Sequence, residues 1–170
     1  CNPHNPIGKV WTKAEVQKIA QLCQKHHAVL LSDEIHGDLV RKGQGYTPAF
    51  SIEAKSNVIS LVSPSKTFNV AALHAAYEEG HDWLKKLKQQ LNENFDYVSQ
   101  FIQENVPEVK VVSGDATYLM WINVQKVTDN SADFAAFLRK ETGLIISAGS
   151  VYRGNGQDFI RINLACPLAM

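Results

Sequence analysis

Two short apolar runs, Ala28-Val29-Leu30-Leu31 and Val58-Ile59-Ser60-Leu61-Val62, constrain this chain more than any other feature. Both are strand-length, and near-continuous apolar runs of this kind mark strands buried in a parallel sheet. An acidic loop and a Gly/Pro stretch from Gly43 to Pro48 lie between them. The first run leads into Ser32-Asp33-Glu34-Ile35-His36, and the second into Ser63-Pro64-Ser65-Lys66-Thr67-Phe68-Asn69. One strand therefore delivers an acid at its end and the next delivers a lysine. Open α/β sheets place ligands outside the carboxyl ends of their strands. A lysine there can form a Schiff base with an aldehyde cofactor, and an acid there can pair with a pyridinium nitrogen.

The flanking segments extend the α/β pattern. Residues 1–9 read as a loop, because the two Asn–Pro steps disfavour helix. Thr12-Lys13-Ala14-Glu15 is a capping-box pattern, and the helix it opens carries Val16, Ile19, Ala20 and Cys23 on one face to an end near Lys25-His26-His27. From Ala71 to Asn105 apolar residues recur every three or four positions, from Leu73 through Leu84, Leu87, Leu91, Phe95 and Val98 to Ile102. A helix this long bridges two domains or breaks once, at Gly80 or at Asn92 to Asn94, and Pro107 ends it. Beyond it, Val109 to Val112 and Tyr118 to Val124 read as strands around a Gly114-Asp115 turn. Ser131 to Thr142 reads as a helix with Ser131 as N-cap, Phe134, Phe137 and Leu138 inward, and Gly143 as C-cap. Leu144 to Ser147 and Phe159 to Leu164 complete a small α+β unit. The expected domains are 1–90 and 91–170.

Composition limits the function classes. Apolar residues make up 45% of the 170, so the chain can bury a core. Seventeen basic residues balance seventeen acidic ones, without the basic stripe of a nucleic-acid surface. No apolar run approaches the roughly 18 residues of a membrane span. Cys1, Cys23 and Cys166 have neither metal nor disulfide-framework spacing, and an odd count fits a reducing, cytoplasmic setting. No histidine pair has convincing metal spacing. The opening residues do not read as a signal peptide, the chain does not begin with Met, and both ends look cut, so the expectation is part of a longer protein.

Four motifs occur in order: Asn5-Pro6-Ile7-Gly8, the Ser32–His36 run, the Ser63–Asn69 run, and Arg161-Ile162-Asn163-Leu164-Ala165-Cys166-Pro167. Together they resemble the fold-type I, class I/II aminotransferase-like enzymes that use pyridoxal 5'-phosphate, and within them the cystathionine β-lyase (cysteine C–S lyase) branch. The resemblance covers almost the whole chain. It implies an α/β fold: the C-terminal part of a mostly parallel large domain, followed by a small α+β domain. It implies that Lys66 holds the cofactor and moves the substrate Cα proton, a role that burial and a nearby cation favour in a lysine. Asp33 would keep the ring nitrogen protonated, which makes the ring an electron sink. Asn5 and His36 would touch the phenolic oxygen; His36 stands where many aminotransferases carry a tyrosine, which favours the lyase branch. Ser63, with Ser65 as a second candidate, would bind the phosphate. Arg161 would fork onto the substrate α-carboxylate. Glu34 is left out of the site, since a side chain one residue on points elsewhere. The family also implies an amino-acid substrate and a homodimer.

Each residue has a plainer rival role: Lys66 a solvated surface lysine, Asp33 a loop cap, Ser63 and Ser65 local caps, Asn5 and His36 turn residues, Arg161 an edge-strand surface arginine. The sequence also departs from the family. The family's N-terminal half is missing, and Val70-Ala71 runs directly into Ala72-Leu73-His74, where a few dozen residues are expected. A missing piece of parallel sheet leaves apolar faces uncovered, so this polypeptide by itself is expected to bind the cofactor weakly or not at all. Three functions stay open: a C–S lyase in the intact parent, an aminotransferase on the same scaffold, or a non-catalytic fragment.

Overall fold

Helix α1 (Lys13–Lys25) opens on a complete capping box. Thr12 Oγ1 accepts from the Glu15 N–H at 3.3 Å, and Glu15 Oε2 accepts from the Thr12 N–H at 2.8 Å. The Lys9 ammonium donates to Glu15 Oε1 at 2.7 Å. That bond first, then the Thr12 backbone and hydroxyl, holds the Glu15 carboxyl down at about 2. Val16 and Ala20 face inward and pack with Ala49, Ile52 and Val58.

The computed structural model describes residues 1–52, 57–68, 80–112 and 114–167. It divides into two units: Cys1–Asn5, Lys9–Gln89 and Asp115–Thr117 in the first, and Pro6–Gly8, Gln90–Gly114 and Tyr118–Met170 in the second.

In the first unit β1 (Leu30–Asp33) and β2 (Val58–Leu61) pair in parallel, from Leu30 opposite Val58 to Asp33 opposite Leu61. The strand begins two residues later than the apolar run suggests. The chain leaves α1 through His27 at φ 54°, and the Ala28 N–H still closes the helix end on Cys23 O at 2.8 Å. Nor is the pair buried on both faces. Leu30, Ser32 and Val58 turn toward the core, while Leu31, Ile59 and Leu61 are 62%, 50% and 52% exposed. The buried residue of β1 is thus the serine, because its hydroxyl has a buried partner in Glu34. Helix α2 (Ser65–Phe68) follows β2.

Helix α3 (His81–Asn105) passes from the first unit into the second. The part of the expected Ala71–Asn105 helix at 71–79 lies outside the described residues. No break occurs at Asn92 to Asn94. Asn94 is buried instead: its amide donates to Leu164 O and Cys166 O, each at 2.7 Å, and accepts from Gln90 Nε2 at 2.9 Å. An asparagine with every polar atom engaged is a clamp and not a breaker. Phe95, Val98 and Ile102 pack on the second unit's core of Met120, Ile122, Val124, Ile160 and Leu164.

That core lies on an antiparallel sheet in the order β3 (Lys110–Val111), β4 (Leu119–Asn123), β6 (Phe159–Asn163) and β5 (Ser147–Ala148). Residues 115–117, which begin in the expected Gly114-Asp115 turn, belong to the first unit and join it through the Val40–Ala116 bridge and the Thr117 N–H to Leu39 O bond of 2.9 Å. Helix α4 (Ser131–Thr142) ends at Gly143, left-handed at φ 76°, as its sequence suggests. Its N-cap is Asn130, whose side chain accepts from the Ala132 and Asp133 N–H groups; Ser131 is fully buried and accepts from the Ser150 N–H. Phe137 faces solvent. Leu144 and Ile145 are exposed and unpaired in the sheet, because Leu144 N–H still closes the helix on Thr142 Oγ1, and strand pairing starts at Ser147. The architecture is a parallel α/β element followed by an antiparallel α+β element. No helix among the described residues is long and apolar enough to cross a membrane.

Candidate active site

The parallel register places Asp33 level with Leu61, and the chain then turns through Ser63 to Lys66. Asp33 is exposed at the carboxyl end of β1. Its Oδ1 accepts from the Ile35 N–H at 3.3 Å, and Cys1 Sγ lies 3.9 Å from Oδ2. The bond to Ile35 is the local capping role weighed from sequence, and it leaves acceptor capacity on an open carboxylate.

Lys66 projects outward from α2 while its neighbour Thr67 is buried. The turn is held at three points. Thr67 and Phe68 N–H groups donate to Pro64 O, Thr67 Oγ1 donates to Asp38 Oδ2 at 3.2 Å, and the Phe68 ring lies 5.6 Å from that of Trp83. Ser63 Oγ accepts from the Ser65 N–H at 3.2 Å and donates to Ser65 Oγ at 2.9 Å. Either hydroxyl of this pair can turn its O–H outward, so both serines keep a donor for an anion.

Asn5 is half-buried in a turn closed by the His4–Lys9 bridge. Asn2 fixes that loop to the strand end: its N–H donates to Asp33 O at 2.8 Å and its amide to Thr47 O at 3.0 Å. His36 is buried and precedes the short 3₁₀ turn Gly37–Leu39. Thus Asn5, Asp33, His36, Ser63, Ser65 and Lys66 all belong to the first unit.

Arg161 belongs to the second. It sits on β6, an interior strand between β4 and β5, so it is not the edge-strand arginine of the rival reading. Its Nη2 donates to Ser147 Oγ at 3.3 Å, and its Cζ lies 5.2 Å from the centre of the Tyr152 ring. Tyr152 meets Trp121 edge-on at 5.5 Å, and Trp121 stacks on Phe159 at 5.2 Å. These aromatic walls orient the guanidinium, and sequence spacing gave no sign of them.

The other omission is Glu34. It is buried, accepts from Ser32, Ser60, Tyr46 and the Ala49 N–H, and holds the Tyr46 phenol far above its ordinary range, through burial first and the carboxylate bond second. The period-two alternation of β1 was the available signal. It puts Ser32 and Glu34 on one inner face, where buried polar groups need one another.

The family model for aminotransferase class I and II matches residues 1–77 and 69–169. The chain belongs to the class I and II aminotransferase family. Within the family it is similar to cystathionine beta-lyase PatB of Bacillus subtilis, 30% identical over 99% of this chain and 54% of the relative. It is similar in structure to cystalysin from Treponema denticola, which contains a pyridoxal 5'-phosphate cofactor: TM-score 0.93, 30% identity, 98% of this chain and 52% of that one. A pyridoxal-phosphate-bound C–S lyase from Staphylococcus hominis superposes with a TM-score of 0.87 at 30% identity, over 98% of this chain and 53% of that one. The chain therefore spans about half the length of the relatives it matches. The comparison with PatB runs over 207 positions, against 170 residues here, so the relative carries a few dozen residues with no counterpart. The family match itself is in two stretches that meet at 69–77.

Proposed function

We propose that the protein carrying this chain is a pyridoxal-phosphate-dependent carbon–sulfur lyase acting on cystathionine or a related cysteine thioether. The reaction is an α,β-elimination: the Cα–H and Cβ–S bonds break, the thiol leaves, and water converts the remainder to pyruvate and ammonia. The observation that carries this reading is the parallel pairing that ends with Asp33 beside Leu61 and leads straight into the Ser63–Lys66 turn.

The donor set fits the cofactor. An open carboxylate, an outward amine and a serine pair on a capped turn match a ring nitrogen, an aldehyde and a phosphate. When bound, the cofactor supplies an electron sink for the electrons left at Cα. The chain's own residues do the rest. Lys66 carries the Cα proton, Asp33 keeps a proton on the ring nitrogen, Ser65 and Ser63 hold the phosphate, and Asn5 and His36 contact the phenolic oxygen. Arg161 forks onto the substrate carboxylate, pre-oriented by Ser147 and Tyr152. In this reading residues 1–90 belong to the cofactor-binding domain and 91–170 to the small domain. The protein is a cytoplasmic homodimer with an amino-acid substrate.

Turnover of L-cystathionine by the full polypeptide tests the reaction. Stoichiometric pyruvate and thiol release supports the lyase. Accumulation of the pyridoxamine form with no pyruvate overturns it in favour of an aminotransferase.

A further inference from the structure

Glu34 is a buried acid that the proposed reaction does not use. It is 4% exposed. Its Oε1 accepts from Ser32 Oγ at 2.8 Å, the Ala49 N–H at 2.8 Å and Ser60 Oγ at 3.2 Å, and its Oε2 accepts from Tyr46 Oη at 2.8 Å. Its own N–H donates to Leu61 O at 2.8 Å. These donors come from β1, from β2 and from the connection between them. A buried carboxylate is tolerated when its lone pairs are met in this way, and removing one partner leaves it stranded.

The network reaches the lysine turn. A Cβ on Gly37 would lie 2.9 Å from Tyr46 Oη, so the phenol Glu34 holds rests against the backbone that follows His36. The next residue, Asp38, accepts from Thr67, the neighbour of Lys66. On the opposite face of β1, one residue away, stands Asp33.

We propose that Glu34 is a positioning residue of the site: through Ser60, Tyr46 and the Gly37–Asp38 turn it holds the lysine turn at a fixed placement relative to Asp33, so that acid and amine engage one ligand together. The proposal rests on the assignment of Lys66 and Asp33 to the cofactor.

The test uses the full polypeptide with pyridoxal 5'-phosphate as probe and compares wild type with Glu34→Ala, Glu34→Gln and Tyr46→Phe. Circular dichroism and thermal melting set the folded fraction. The readouts are cofactor affinity, the pH dependence of the visible absorption of the bound cofactor, and the borohydride-fixed label on Lys66. In folded Glu34→Ala the affinity falls on the order of a hundredfold and the pH profile shifts, as for a misplacement of about an ångström. Glu34→Gln, which keeps an acceptor for Ala49 and the serines, returns to within about tenfold of wild type. Tyr46→Phe shifts the profile in the same direction and by less. A folded Glu34→Ala with wild-type affinity and profile overturns the proposal. If Glu34→Ala does not fold, Tyr46→Phe decides, and an unchanged profile there overturns it. Absence of any Lys66 label in wild type overturns the cofactor assignment itself and this proposal with it; a labelled wild type with unaffected variants overturns the proposal alone.

Discussion

At Asp33 the alternation of β1 turns one carboxylate outward, and at Glu34 it turns the next inward. The outward acid, the lysine and the serines were legible in the sequence because they cluster at the ends of two apolar runs. The inward acid was not, because its role depends on Tyr46, Ala49 and Ser60, which no local spacing connects to it. Arg161 shows the same limit. Its motif was readable, but the Ser147 and Tyr152 contacts that orient it come from sheet register. A fork onto a carboxylate needs the planar guanidinium, so Arg161→Lys in the full polypeptide raises KM for cystathionine about tenfold or more while kcat changes less. Steady-state kinetics read this directly.

Among the elements, α1 and the β5–β6 region make the sharpest predictions. The folded-state pKa of Glu15 lies below its ordinary 4.5, at about 2. Its contribution is therefore fully present above pH 4.5 and is lost as pH falls toward 2. Urea melts across that range show a pH-dependent loss that Glu15→Gln reduces. Gly149 lies where backbone meets backbone: an added Cβ would fall 2.3 Å from Gly156 O and 2.4 Å from Phe159 O. Gly149→Ala destabilises the second unit by about 3 kcal/mol, the upper part of the usual overpacking cost, as measured by chemical denaturation. Helices α1 and α4 and the C-terminal end of α3 followed from periodicity and caps, whereas α2, four residues long, carries no such signal. The misplacements have local physical causes: an asparagine clamp at Asn94, a cap shifted to Asn130, and helix-end bonds that delay β1 and β5.

For the whole molecule, the informative surface is the outer face of the parallel pair. Parallel sheets are ordinarily covered on both faces, yet Leu31, Ile59 and Leu61 are open in this chain. Such a patch promotes association. The isolated chain therefore self-associates in light scattering and binds a hydrophobic dye, and a Leu31→Lys, Ile59→Lys variant does both less. An unchanged scattering profile in that variant shows that this face does not drive association. The proposed function rests on the cofactor role of Lys66, on the neighbouring turn. It is tested most directly by adding pyridoxal 5'-phosphate to the full polypeptide, reducing with borohydride and mapping the labelled peptide by mass spectrometry. A single stoichiometric label on Lys66 that Lys66→Ala abolishes is the expected result; a label on another lysine, or none, rules out Lys66 as the cofactor lysine.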